Sequence, residues 1–201
     1  MGTYTGMLTA LLLAGSVCGV RAQGASSGDS LAFHRGQWGA RFSLESPFVG
    51  IGGLAFTSER SAWTLDASLA IQNRQGADSA GPTTHDANSQ LSISFGRRHY
   101  GLLGRRVRSF YGVGLSGIAI RGKSDQAGLI LTNHSWGAGV FGELGAVVFL
   151  SPHITVGAFW PLNVQYLWTR SRVESNPPAS QKLRSLQITA NSLSLIGELY
   201  F

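Results

Sequence analysis

The sequence predicts an all-β chain of eight antiparallel strands, running up and down and closed into a barrel. Three observations carry that prediction. Apolar residues recur at every second position through most of the chain, the period of a strand with two unlike faces. The stretches between them alternate between short turns and long polar segments. The final strand runs to Phe201, as a strand that closes a sheet would.

The opening residues are of another kind. An apolar run from Met7 to Val20 is followed by Val20-Arg21-Ala22, a small-residue pattern of the sort that signal peptidase cuts. The run is too short for an ordinary membrane-spanning helix. Residues 1–22 are therefore expected to be a cleaved secretory signal peptide, read by a Sec-type export route, and residues 23–30 a small, polar, flexible start. The single cysteine, Cys18, lies in the signal segment. The mature chain then has no disulfide, thiolate nucleophile or cysteine metal site.

Residues 31–201 carry the strands. Trp38, Ala40, Phe42 and Leu44 alternate with Gly39, Arg41, Ser43 and Glu45. "FVGIGGLAF" follows, with ambiguous phase. Trp63, Leu65, Ala67, Leu69 and Ile71 alternate with Thr64, Asp66, Ser68 and Gln72. Leu91, Ile93 and Phe95 form the fourth apolar row, Tyr111, Val113 and Leu115 the fifth, and Trp136, Ala138, Val140 and Leu144 the sixth. The seventh, "HITVGAFWPLNVQYLW", is longer than a usual globular strand. Its Pro161 cannot donate to a ladder, so a bulge is expected there. "LSLIGELYF" is the eighth. The connections fall near 46–48, 58–61, 75–88, 101–107, 122–133, 151–152 and 173–184. Of these, 75–88, 122–133 and 173–184 are the long polar loops, expected at one end, with tight turns at the other.

The apolar phase is expected to face lipid, making the barrel transmembrane. The opposite phase mixes glycine and serine with Arg41, Glu45, Asp66, Glu143 and Glu198. In an eight-stranded barrel the interior is just wide enough for side chains to fill it, and these charges can pair there as a polar lumen network. Trp38, Trp63 and Tyr111 fall near the rim with short turns, and Trp136, Tyr166 and Trp168 near the other. Aromatic girdles at both interfaces are a membrane-barrel feature. Without water in the hydrocarbon, every strand edge must be paired, so the sheet must close.

These features resemble the small outer-membrane β-barrel superfamily, of the OmpA/OmpX transmembrane type. The resemblance spans about residues 31–201 and rests on the strand pattern and the terminal "GELYF". It implies location in the cell outer membrane. It also implies that Leu193, Leu195, Leu199 and Phe201 form the signal read by the barrel-assembly machinery, with Gly197 departing from the pattern.

The leading functional expectation is a non-enzymatic integral protein. The barrel anchors, and the long loops serve envelope integrity or a surface interaction. Outer-membrane lipid and lipopolysaccharide are the expected partners, with Arg170, Arg172, Lys182 and Arg184 as candidate phosphate contacts. The chain has a net charge of +6 with only 13% charged residues, but no zinc spacing, RNP-like motif or basic helix that would indicate nucleic acid. No cofactor site is expected. The run "GRRHYGLLGRRVR" places Arg97, Arg98, Arg105, Arg106 and Arg108 at a short turn, where they are expected to meet inner-leaflet phosphates. Three alternatives stand beside this reading. A small pore is opposed by Phe141, Phe159 and Tyr200 on the inward phase. A lipid A-modifying enzyme would need His134 and Ser135 as a pair, but neighbours on a strand point to opposite faces. A soluble lipocalin-like barrel would turn the apolar phase inward.

Overall fold

The computed structural model describes residues 32–45, 47–76, 84–104, 106–126, 129–174, 179–190 and 192–201. The expected signal peptide and the 23–30 segment lie outside the described residues, as does Arg105.

Nine strands form: β1 (Trp38–Glu45), β2 (Phe48–Ser58), β3 (Ser61–Gly76), β4 (Thr84–Leu102), β5 (Val107–Gln126), β6 (Leu129–Ser151), β7 (Ile154–Glu174), β8 (Ala179–Ala190) and β9 (Ser194–Tyr200). From β1 to β8 each pairs antiparallel with the next. β9 pairs with both β7 and β1. The pairing thus closes a ring of eight places, and the eighth place is shared by β8 at one end and β9 at the other. Eight strands were expected; the structure has nine, because the last place is filled by two pieces.

Pro161 accounts for the break. The Tyr200 N–H donates to the His153 carbonyl at 2.8 Å, so the odd-numbered residues of β7 turn their backbone groups toward β9 and β8. Pro161 has no N–H to offer on that side. Phe159 still pairs with Ser194 of β9, and Leu162 pairs with Ala190 of β8. The partner chain spends one more residue than β7 between those two pairs. The expected irregularity is therefore carried by the neighbour, while β7 itself stays in register with β6 at Glu143–Pro161.

The turns at 59–60, 103–106 and 152–153 gather at what we term the lower end. At the upper end the strands run much further than expected. β5 continues to Gln126 and β6 resumes at Leu129, so most of the predicted 122–133 loop is ladder. β3 and β4 likewise enter the 75–88 segment, and β7 and β8 together take in 173–174 and 179–184. These stretches lack apolar alternation, yet backbone pairing does not need it once neither face must meet lipid or a core. The β1–β2 connection at 46–47 remains short, so β3 to β8 rise above it.

The apolar phase faces outward. Leu65, Leu115, Leu144 and Leu195 are 57–68% exposed, whereas Arg41, Glu143 and Glu198 are at most 5% exposed. A water-soluble chain buries the first kind and exposes the second. Inside the lower end lies an aromatic cluster. Phe33, just ahead of β1, stacks on Phe56 at 4.4 Å and meets Tyr100 at 4.5 Å, Phe149 at 5.2 Å and Tyr200 at 5.2 Å. Gly36, at φ 83°, turns the chain between Phe33 and the start of β1. The Gly36 N–H is held by the Phe56 carbonyl at 2.8 Å.

Candidate functional site

Directly above the aromatic cluster, the inward phases of five strands converge on a charged centre. Arg98 of β4 is fully buried. Its Nε and Nη2 donate to the two carboxylate oxygens of Glu143 at 2.8 and 2.9 Å, and its Nη1 donates to Glu198 at 2.7 Å. Arg41 of β1 donates to Asp66 and to Glu143, both at 3.2 Å. Glu198 also accepts from the Thr155 hydroxyl at 3.1 Å and from the Tyr200 hydroxyl. The Arg98 guanidinium lies 3.9 Å from the Phe110 ring centroid, and that of Arg41 lies 4.7 Å from the Phe159 ring. Bidentate pairing with stacking suits arginine's planar fork.

The sequence makes room for this centre with glycine. A Cβ at Gly112 would fall 2.5 Å from a Glu143 carboxylate oxygen, and one at Gly52 would collide with the Asp66 carboxylate. Two guanidinium groups and three carboxylates are thereby brought together from β1, β3, β4, β6 and β9. The arrangement is a cross-brace that ties strands on opposite sides of the ring. Above it lies a cavity of about 290 Å³, lined by Ser43, Ser68, Ser92, Ser94 and Gln90 among others.

Of the residues singled out for the lumen, Arg41, Asp66, Glu143 and Glu198 meet in this centre. Glu45 lines the cavity above. Arg98 was placed by the sequence in a cluster for inner-leaflet phosphates, and the structure corrects that: it faces inward and is the hub of the network. Arg97, the preceding residue, is exposed and donates to the Ser61 hydroxyl at 2.8 Å. Strict alternation in "FGRRHY" would have separated the two. Tyr100, Thr155 and Phe33 also went unnoticed, because a single hydroxyl or ring on an inward phase has no motif. His134 is exposed, while Ser135 hydrogen-bonds Thr169 at 2.8 Å, so the two do not form a base–nucleophile pair.

The aromatics expected in girdles lie on the outer surface. Trp38 stacks on Phe201 at 4.5 Å and Trp63 on Phe95 at 5.1 Å toward the lower end. Tyr111 stands on the same side, stacked on His99 at 5.3 Å. Trp136 stacks on Trp168 at 4.2 Å, and Tyr166 meets Trp168 edge-on at 4.7 Å, toward the upper end. Leu193, Leu195, Leu199 and Phe201 are outwardly exposed around β9.

A major outer membrane protein from Thermus thermophilus superimposes on this chain with a TM-score of 0.58, covering 82% of this chain and 99% of that one at 11% identity. The fold resembles small outer-membrane β-barrel proteins. The N-terminal β-barrel domain of Pseudomonas aeruginosa OprF matches with a TM-score of 0.46 and 11% identity, over 82% of this chain and 96% of that one. Ail, the attachment invasion locus protein of Yersinia pestis, matches with a TM-score of 0.40 and 10% identity, over 82% and 94%. At 11% identity the likeness to the Thermus protein is one of fold. No protein-family model and no curated protein sequence matches the chain.

Proposed function

We propose that the chain is a non-enzymatic integral outer-membrane protein, a closed eight-place β-barrel that anchors an outer rim for envelope integrity or a surface interaction. The observation that carries this reading is the outward apolar phase, banded by aromatics at two levels. Lipid is the solvent in which such a surface is stable, and β9, paired with both β7 and β1, joins the strand edges through the lower part of that surface. The filled lower end, with Phe33 packed among four other aromatic rings, favours an anchor over an open pore. Residues 1–22 serve as the export signal in this reading.

The topology is tested by single cysteines, since Cys18 lies in the segment expected to be removed. Glu59, in a lower turn, and Ser180, on β8, are exposed. In intact cells, a membrane-impermeant maleimide is expected to label Ser180→Cys and not Glu59→Cys, with both labelling after lysis. Equal labelling in intact cells would overturn the spanning reading.

The C-terminal strand supplies a second test. Phe201 stacks on Trp38 and its N–H donates to the Trp38 carbonyl at 2.9 Å. In this reading Phe201, with Leu193, Leu195 and Leu199, is what the assembly machinery engages. Phe201→Ala is expected to reduce membrane-assembled protein several-fold in cells while refolding into detergent micelles stays efficient. Equal loss in both settings would assign Phe201 to stability alone.

A further inference from the structure

The outer wall carries a row of basic side chains just above the upper aromatic level. Arg121 of β5, His134 of β6, Arg170 of β7 and Lys182 of β8 stand opposite one another in consecutive cross-strand pairs. All four are exposed and share the outward phase of Trp136 and Trp168. Arg184 pairs with Trp168 just below the row, and Lys123 and Arg172 flank Thr132 just above it. Arg170 and Lys182 are like charges directly opposite on the sheet, which repel. None of these lysines and arginines is held in an ion pair among the described residues. The acids of the same face, Asp125 and Glu174, stand further up the wall on either side of Ile130.

A hollow lies beneath one end of this row. Leu91, Ala119 and Trp136 are cross-strand neighbours, and Leu69 adjoins Leu91. Ala119 is the small floor between larger walls, and the space holds about 380 Å³, with Arg121 and His134 at its head. An apolar slot headed by cations on a lipid-facing wall has the chemistry of a phosphorylated lipid. The row is longer than one phosphate: four strands spaced at the usual interval span ~14 Å.

Taking the membrane reading above as its basis, we propose that this wall binds a bisphosphorylated acyl lipid of the surrounding leaflet. One acyl chain lies in the hollow over Ala119, and the phosphates lie along Arg121, His134, Arg170 and Lys182. The bound phosphates relieve the repulsion between Arg170 and Lys182.

The test uses the purified full chain in zwitterionic detergent micelles, with bound lipid read by native mass spectrometry. Diphosphoryl lipid A is expected to be retained at least tenfold more tightly than monophosphoryl lipid A, and phosphatidylcholine not at all. Arg121→Gln with Arg170→Gln is expected to lower that affinity at least tenfold. Ala119→Leu, which fills the hollow and leaves every charge, is expected to do the same. Arg60→Gln, in the exposed lower turn at 59–60, is expected to leave it unchanged. Equal retention of phosphatidylcholine, or full affinity in both groove variants, would overturn the proposal. Displacement by equimolar inorganic pyrophosphate would also overturn it, by making this a soluble-anion site. Carbonate extraction of the same protein from membranes distinguishes the failures. A protein that resists extraction but does not discriminate among lipids sinks this inference alone, and one that is extracted sinks the membrane reading beneath it.

Discussion

Arg98→Leu is expected to destabilise the folded protein by roughly 3–5 kcal/mol, the usual cost of removing one partner from a buried ion network. The reason lies in what Arg98 leaves behind. It supplies both carboxylate oxygens of Glu143 and one of Glu198, and all three residues are at most 5% exposed. Arg41 pairs with Glu143 and Asp66 and, among the described residues, makes no ion pair with Glu198, so the second carboxylate would keep only its hydroxyl donors. Lysine at position 98 is expected to recover part of the loss, since it restores the charge but not the fork. Removing the acids along with the cation is the sharper comparison. Arg98→Leu combined with Glu143→Gln and Glu198→Gln is expected to be more stable than Arg98→Leu alone, because the amides do not need a buried cation. Urea unfolding in detergent micelles, followed by tryptophan fluorescence, reads all of these. A loss below about 1 kcal/mol for the single variant would show that the network does not bear on stability.

Phe33→Ala is expected to cost a comparable amount, roughly 3–5 kcal/mol, as for other large-to-small changes at buried aromatic sites. Phe33 is 1% exposed and sits among Phe56, Tyr100, Phe149 and Tyr200. These rings belong to strands fixed in a closed ladder, which cannot collapse into the void, and cost rises with the cavity that remains. Phe33→Leu keeps most of the volume and is expected to lose much less. The same unfolding assay reads both, and equal stability of Phe33→Ala and the parent chain would show that the cluster packs without it.

The parts of this architecture that the sequence made legible are those where two solvents differ across the wall. Leu65 against Asp66, or Leu199 against Glu198, alternate because one neighbour faces outward and the other inward, and that contrast is written at period two. Above the upper aromatics the contrast disappears. "SQKLRS" has polar residues in both phases, and β8 is exposed along nearly its whole length, so nothing in that part distinguishes ladder from loop, and only Leu186 and Ile188 beyond it alternate. The charged centre was partly legible for the same reason. Arg41, Asp66, Glu143 and Glu198 interrupt otherwise regular rows, whereas Arg98 stands beside Arg97 and read as part of a basic turn. Phe33 precedes the first alternating row, so no periodicity marks it. What joins these residues is pairing between distant strands, which no local pattern records.

The division of the eighth place has a consequence for how this protein can vary. Among the described residues, closure depends on β9, which joins β7 to β1. β8 is tied only to β7, on the far side of the slip opposite Pro161. The rim can therefore be lengthened, trimmed or rewritten along β8 with little penalty to the sealed ring below. Apart from Lys182 and Arg184, which face lipid, mutational drift should accumulate along β8 and be purged from β9, so that one chain offers a conserved foundation beside a replaceable edge.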